Sequence, residues 1–316
     1  MSTSSSSTAQ ARGATSRRSG VGTGGPAVAG APTSPVRKVP LRMAARRLTV
    51  LRVVDLSRSM RRVVLGGPEL AGFVSDGPID HFKLFFPDAS GALVMPRLDE
   101  ERWVNRDEPG LLYRDYTVRT FGVPALTHDA AVDELVVDLA VHDHGPAGRW
   151  AGQAAPGQEL GTLGPRSTKA APLDRDWYVL AGDETGLPGV LNWLDRLPEQ
   201  APVQVFLEVD GPADEVELSA RAAMTVTWLH RNGAPAGSTS LLSDAVAAAD
   251  FGARAAGEST GTGTGLGWVW AAAEASAVRA IRTHVTAERG LDRSSFAMTG
   301  FWRLGVENFD HHSPEA

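Results

Sequence analysis

The spacing of apolar residues changes once along this chain, near residue 170, and that change restricts the fold more than any other feature. From about 48 to 165, short alternating segments are separated by turn signals. Strands are predicted at 48–54, 61–65, 81–86, 91–95, 112–121 and 134–142. In the last, Leu135, Val137, Leu139 and Val141 take one face while Val136, Asp138, Ala140 and His142 take the other. Many short strands at this interval predict an antiparallel barrel or sandwich. Past Pro172, strands alternate with helices. Strands are expected at 177–181, 203–209, 224–230, 268–270 and 296–299, and helices at 188–197, 241–249 and 273–289, with a loose Gly/Thr loop at 252–265. The last helix carries Ala275, Val278, Ile281 and Val285 on one stripe. Strands alternating with helices predict a parallel sheet. The expected fold is therefore an antiparallel β-barrel domain over 46–170 followed by a parallel-sheet, nucleotide-binding-like α/β domain over 171–310, with a tail at 311–316.

Composition removes several function classes. The densest apolar run, Trp268-Val269-Trp270-Ala271-Ala272-Ala273, is far shorter than the ~18 residues of a membrane span, so no membrane insertion is expected. The absence of cysteine excludes disulfides, a thiol nucleophile, a cysteine zinc site and a cysteine-ligated iron–sulfur cluster. Redox chemistry must then come from an organic cofactor or from a metal with other ligands. Residues 1–47 hold eight of the 31 basic residues and no acid, leaving 23 basic against 37 acidic residues in the remainder. An acidic body does not predict a nucleic-acid partner. Residues 1–45 are Ser, Thr, Gly, Ala and Pro with scattered Arg and no apolar periodicity, and read as a disordered tail. Arg17-Arg18 is not followed by the apolar stretch of an export signal, so a cytoplasmic protein is expected.

Three segments carry chemistry. In Arg114-Asp115-Tyr116-Thr117, an extended strand puts Arg114 and Tyr116 on one face and Thr117 on the other. An arginine fork beside an aromatic ring suits a ligand with a phosphate and a flat ring, although an ordinary surface strand also accounts for the segment. In His142-Asp143-His144-Gly145-Pro146-Ala147-Gly148-Arg149-Trp150, Gly145-Pro146 opens a helix whose free N–H groups can hold a phosphate. A tight turn is the plainer reading. No metal site is expected there, because no other ligand cluster is near. The third, Gly182-Asp183-Glu184-Thr185-Gly186, is a strand-to-helix turn at the end where open α/β sheets bind ligands. By itself it reads equally as a capped helix start.

In this order, the three segments resemble the siderophore-interacting protein family, flavin-dependent ferric-siderophore reductases of the ferredoxin-reductase superfamily. His81-Phe82-Lys83-Leu84 is similar to the family's His-x-Lys-Leu strand. Trp270-Ala271-Ala272-Ala273-Glu274-Ala275 is similar to its Trp-x-x-Gly-Glu-Ala segment, and Gly300-Phe301-Trp302-Arg303-Leu304-Gly305 to its Gly-Tyr-Trp-Arg-x-Gly ending. The resemblance spans about 48–306. Ala273 stands where the family has glycine and Phe301 where it has tyrosine, and the extra methyl of Ala273 is expected to crowd the nicotinamide side.

The resemblance implies an FAD-binding barrel in which Arg114 contacts the pyrophosphate, Tyr116 packs on the isoalloxazine or ribityl chain, and Thr117 lies near the redox edge. His144, Gly145, Ala147 and Trp150 form the diphosphate and adenosine end. Gly182, Asp183, Glu184, Thr185 and Glu274 line the side of the electron donor, NADPH or NADH. Lys83, Arg149 and Arg303 are candidates for a basic mouth around a ferric siderophore. The implied activity is NAD(P)H-dependent reduction of the ferric siderophore through FAD, with release of Fe(II) and no catalytic acid–base pair in the protein. Three other readings remain open at this level: a flavin reductase or electron-transfer flavoprotein with another acceptor, ferredoxin in place of NAD(P)H as donor, and a binding protein that kept the fold without the chemistry. The presence of Arg114, Tyr116 and Gly145 argues against the last.

Overall fold

In a computed structural model, residues 37–122, 133–251 and 266–309 are described. The expected Gly/Thr loop, the tail at 311–316 and residues 1–36 of the expected N-terminal tail lie outside these limits. Residues 37–45 do not behave as tail. Strand β1 (Lys38–Pro40) pairs antiparallel with a strand at Ser167–Lys169, and Leu41 N–H donates to the Arg166 carbonyl at 2.9 Å. A three-residue strand with one apolar side chain carries too little pattern to be read from sequence.

The first half forms β2 (Ala45–Asp55), β3 (Met60–Gly66), β4 (His81–Phe86), a short hairpin β5 (Leu98–Asp99) and β6 (Arg102–Trp103), then β7 (Leu112–Thr117), β8 (Thr120–Gly122) and β9 (Glu134–Ala140). Helix α1 (Gly145–Gly152), β10 (Glu159–Leu163) and β11 (Ser167–Lys169) follow. Seven of these strands make one antiparallel sheet in the order β7-β4-β10-β2-β3-β9-β8. Its two edges, β7 and β8, are separated in the chain only by Val118 and Arg119. A sheet whose opposite edges are consecutive in sequence has to curl toward closure, which is the expected barrel. Its interior is filled by Leu48, Val63, Leu65, Phe82, Leu84, Leu135, Val137 and Leu139, all buried.

Two strand expectations need correction. Residues 91–95 form no strand: both backbone groups of Ala92 are bound to Asp88 in a turn (2.9 and 3.0 Å), and the Met95 carbonyl accepts from the Asn105 side chain at 3.0 Å. The expected strand at 112–121 breaks at Val118, where the chain leaves β4 for β9: Val118 N–H turns to the Asp80 carbonyl and Arg119 N–H to Val136.

The second half contains β12 (Trp177–Gly182), α2 (Leu187–Arg196), β13 (Val203–Val209), β14 (Met224–His230), α3 (Leu241–Ala247), β15 (Gly267–Glu274), α4 (Ala275–Thr283) and β16 (Phe296–Trp302). Its five strands are all parallel, in the order β14-β13-β12-β15-β16. After β12 the chain builds outward to β13 and β14, then crosses back so that β15 lies on the other side of β12. The switch point is therefore between β12 and β15, and the crevice at the carboxyl ends of these strands is where such a sheet takes a ligand. One face packs on α2 with Leu180, Val205, Trp268 and Trp270, and barrel residue Met60 joins that core. The other face packs on α3 and α4 with Val179, Ala271, Ala273 and Val278.

Asn192 of α2, fully buried, fixes the helix to the barrel. Its amide donates to the carbonyls of Pro78 (2.9 Å) and Val118 (2.7 Å) and accepts from Arg119 (3.1 Å). Arg119 also reaches Asp195 at 2.7 Å.

Candidate functional site

A groove of about 1520 Å³ runs from the open side of the barrel to the carboxyl edge of the parallel sheet. On the barrel side it is lined by Arg114, Tyr116 and Thr117 of β7 and by His144, Gly145, Ala147 and Arg149 around α1. Strand pairing places Arg114 opposite Leu84, and its Nη1 donates to the Tyr113 carbonyl at 2.7 Å. That bond sends the rest of the fork toward α1: a Cβ on Gly145 would lie 3.9 Å from Arg114 Nη2. Gly145 has φ +69°, a conformation that glycine adopts without strain, and Pro146 follows in the first turn. No side chain caps this helix, so its leading N–H groups open beside the arginine, which is a place for a doubly charged anion. Tyr116 meets Phe86 edge-on at 6.1 Å, and burial pushes its phenol well above the usual range.

His142 and His144 share a side, as residues two apart on an extended chain do. The strand ends at Ala140, and the two rings stack with centroids 6.1 Å apart, His142 Nδ1 accepting from His144 N–H at 3.2 Å. The His142 ring lies where a Cβ on residue 148 would be, which explains Gly148. His142 and His81, whose Nδ1–H donates to Ile79, line the groove, and burial lowers both imidazole pKa values.

Several expected site residues are placed elsewhere. Trp150 does not line the groove. It points inward from α1 onto Phe86, 5.6 Å between ring centroids, and belongs to the barrel core. Lys83 is held by Asp115, directly opposite it in the ladder, through contacts of 2.9 and 3.0 Å, and lies over the Tyr113 ring, so its charge is locally balanced. Arg149 lines the groove and donates to the Asp143 carbonyl. Arg303 follows Trp302 at the start of a turn closed by Val306 N–H.

The donor-side residues divide in the same way. Glu184 and Thr185 line the groove; Gly182, Asp183 and Glu274 do not. Asp183 is buried and works as a structural hub. One carboxylate oxygen accepts from Thr185 N–H (2.8 Å), Thr185 Oγ1 (2.6 Å) and Gly186 N–H (3.2 Å); the other accepts from Glu274 N–H (3.0 Å) and Trp302 Nε1 (2.8 Å). Glu274 caps α4 by accepting from Ser276 N–H and Ala277 N–H, and it also accepts from Leu304 N–H. The missing side chain at Gly186 leaves room for the Ala272 carbonyl. The methyl of Ala273 does not crowd the groove: alternation along β15 sends it into the core beneath α3 and α4.

Three contributors went unassigned in the sequence. Trp302 and His81 stood inside quoted motifs, and their orientation required the tertiary structure. Arg231, just after β14, pairs with Glu184 (2.5 Å) and Glu208 (3.5 Å), and its side chain is 6% exposed. Its only sequence signal was its position at a strand end. Burial raises the pKa of both glutamates against the opposing pull of Arg231.

An uncapped helix start, an arginine fork and a half-buried tyrosine on a curled antiparallel sheet, facing the crevice of a five-stranded parallel sheet, define a two-module protein suited to a ligand with a diphosphate and a flat ring. Residues 49–169 match the siderophore-interacting FAD-binding domain and residues 175–305 the siderophore-interacting protein domain, and the chain belongs to the siderophore-interacting protein family. It is similar to the ferric vibriobactin reductase ViuB of Vibrio cholerae, 36% identical over 60% of this chain and 68% of that protein. It is likewise similar to the NADPH-dependent ferric-chelate reductase of Escherichia coli, 36% identical over 58% of this chain and 70% of that one. The crystal structure of a siderophore utilization protein from T. fusca superposes with a TM-score of 0.76 at 42% identity, covering 88% of this chain and all of that one. The cofactor of the family's first domain is FAD, and the residues present fit it: the open α1 start and Arg114 suit its diphosphate, and the Tyr116 surface suits its ring system.

Proposed function

We propose that this protein is an FAD-dependent ferric-siderophore reductase that draws its electrons from NAD(P)H. The observation that carries the reading is the single groove joining the Arg114–Gly145 corner to the carboxyl edge of the parallel sheet. FAD, when bound, would supply the redox chemistry that links a hydride donor to one-electron reduction of chelated Fe(III). The protein's own residues bind and orient. Arg114 and the first N–H groups of α1 hold the diphosphate, with His144, Gly145 and Ala147 shaping that corner. Tyr116 and Thr117 fix the flat ring against the barrel. Glu184 and Thr185 border the donor side, while Asp183 and Glu274 keep the turn after β12 and the start of α4 in register. Arg149, Arg303 and the Lys83–Asp115 pair bound the substrate side, where cationic side chains on an acidic body focus anionic chelates.

The test is anaerobic. Flavin-loaded protein, NADH or NADPH, a ferric siderophore and a colour-forming Fe(II) chelator are mixed, and Fe(II) is expected only when all components are present. Flavin that is reduced by the nucleotide but not reoxidised by any ferric chelate would instead identify a reductase with a different acceptor. Flavin that reacts with reduced ferredoxin and not with either nucleotide would replace the donor.

A further inference from the structure

The carboxyl edge of the parallel sheet is poor in places for phosphate. The turn after β12 is where such sheets commonly cradle a dinucleotide's phosphates with free N–H groups. Here Asp183 takes the N–H groups of Thr185 and Gly186 through its carboxylate, and its carbonyl accepts Leu187 N–H at 2.9 Å. Asp183 thus takes the N–H groups of Thr185, Gly186 and Leu187 away from a phosphate.

The next strand end continues the pattern. In a sheet of this order, an acid at the end of the second strand accepts a hydrogen bond from the adenosine ribose 2′-hydroxyl, whereas a nearby open arginine accommodates a 2′-phosphate. The second strand is β13, and the residue at its end is Asp210, which lines the groove with a side chain 35% exposed. Arg231, at the end of the neighbouring β14, is sealed between Glu184 and Glu208. Arg58 is 61% exposed but already serves Asp210 (2.6 Å) and the fully buried Asp214 (2.5 Å). His230 is turned to Glu215. Around the ends of β12, β13 and β14, among the described residues, Asp183, Glu184, Glu208, Asp210, Asp214 and Glu215 stand against the guanidinium groups of Arg58 and Arg231, each shared by two carboxylates; Arg279 and Arg282, which also line the groove, are carried by α4.

We propose that this edge discriminates against a 2′-phosphate, that Asp210 is the specificity-determining residue, and that the protein takes NADH in preference to NADPH. The proposal rests on the pyridine-nucleotide donor argued above. A 2′-phosphate brings a charge of about −1.5 to −2. It would meet the Asp210 carboxylate with both Arg58 and Arg231 already engaged by carboxylates, whereas a 2′-hydroxyl donates to that same carboxylate.

Calorimetric titration of the flavin-loaded full chain with NAD⁺ and NADP⁺ reads the preference without turnover. NAD⁺ is expected to bind at least about tenfold more tightly, and the gap to narrow with salt. The steady-state kcat/KM ratio for NADH over NADPH should follow. Asp210→Asn should strengthen NADP⁺ binding and weaken NAD⁺ binding, closing the gap from both sides. A merely structural role would move both nucleotides together, and that result would overturn the assignment. Equal binding, or tighter NADP⁺ binding, by the unmodified protein would overturn the preference whether or not the variant folds. If neither nucleotide binds while chemically reduced protein still reduces a ferric chelate, the donor reading fails and the preference fails with it. If nucleotide binds with the expected preference but no ferric chelate is reduced, the preference stands and the substrate reading fails.

Discussion

Arg114 reaches the α1 corner because its own strand holds it there: Nη1 is anchored on the neighbouring Tyr113 carbonyl, so the second amino group is aimed rather than left to sample rotamers. Arg114→Ala removes a charge-assisted partner of the FAD diphosphate, worth about 1.5–3 kcal/mol, or roughly ten- to a hundredfold in affinity. The variant should purify largely colourless yet keep its circular dichroism and melting behaviour, since the side chain is not part of the barrel core. Wild-type flavin content would remove Arg114 from the site. The arginine and its tyrosine partner were legible in the sequence because strand alternation fixes which side chains share a face. Trp150 was not, because a short helix can turn an aromatic toward either ligand or core, and the packing of Phe86 decided it.

At the scale of elements, the curled sheet and α2 meet through one buried amide. Asn192 satisfies two carbonyls of barrel segments that have no ladder partner at those positions, and Arg119 completes it from the chain that joins β7 to β8. Asn192→Ala leaves these groups buried and unpaired, a loss of about 3 kcal/mol. The expected outcome is a lower urea midpoint, together with faster hydrogen exchange at the β7–β8 crossing. Asn192→Asp should fare no better, because a carboxylate facing two carbonyls repels both. An unchanged midpoint in Asn192→Ala would mean that other contacts fix the helix. Nothing in the sequence marked Asn192: a polar residue in an amphipathic helix is ordinarily solvent-facing, and only the position of the barrel turns that face inward.

For the whole molecule, pH couples the groove to stability. Burial lowers the pKa of His81 and His142, while the unfolded chain protonates each near ~6.5. Between that value and the lowered folded ones, the unfolded state holds more protons, so stability falls as pH falls through this window and is level above it. Each histidine contributes a slope of at most about 1.4 kcal/mol per pH unit. Glu184 and Glu208 act in the opposite sense at lower pH, since their raised pKa values let the folded state take protons first on acidification. Urea midpoints measured from pH 8 to 5.5 should therefore decline below about 6.5. A double variant, His81→Gln with His142→Asn, should flatten the decline. Protonating His142 also removes the acceptor for His144 N–H at the entry to α1, so flavin release should accompany the loss. A slope that survives the double variant would place the titration elsewhere.

The sequence by itself determined the two-part plan, because alternation with period two and the strand–helix rhythm are local properties of a chain that must bury one face of every element. It also marked candidate loops for a phosphate-bearing ligand, through a glycine and a proline at a helix start and an arginine two residues from a tyrosine. Tertiary structure alone decided which charges remain available. Lys83 and Asp115 lie 32 positions apart, Arg231 and Glu184 47, and Asp183 and Trp302 119, and each pair meets only once strands register or a sheet brings its carboxyl ends together. Local sequence fixes where a side chain can point. Whether its charge is open to a ligand depends on what the rest of the fold places within about 3 Å of it, and at the carboxyl edge of this sheet the fold has already filled most of those positions.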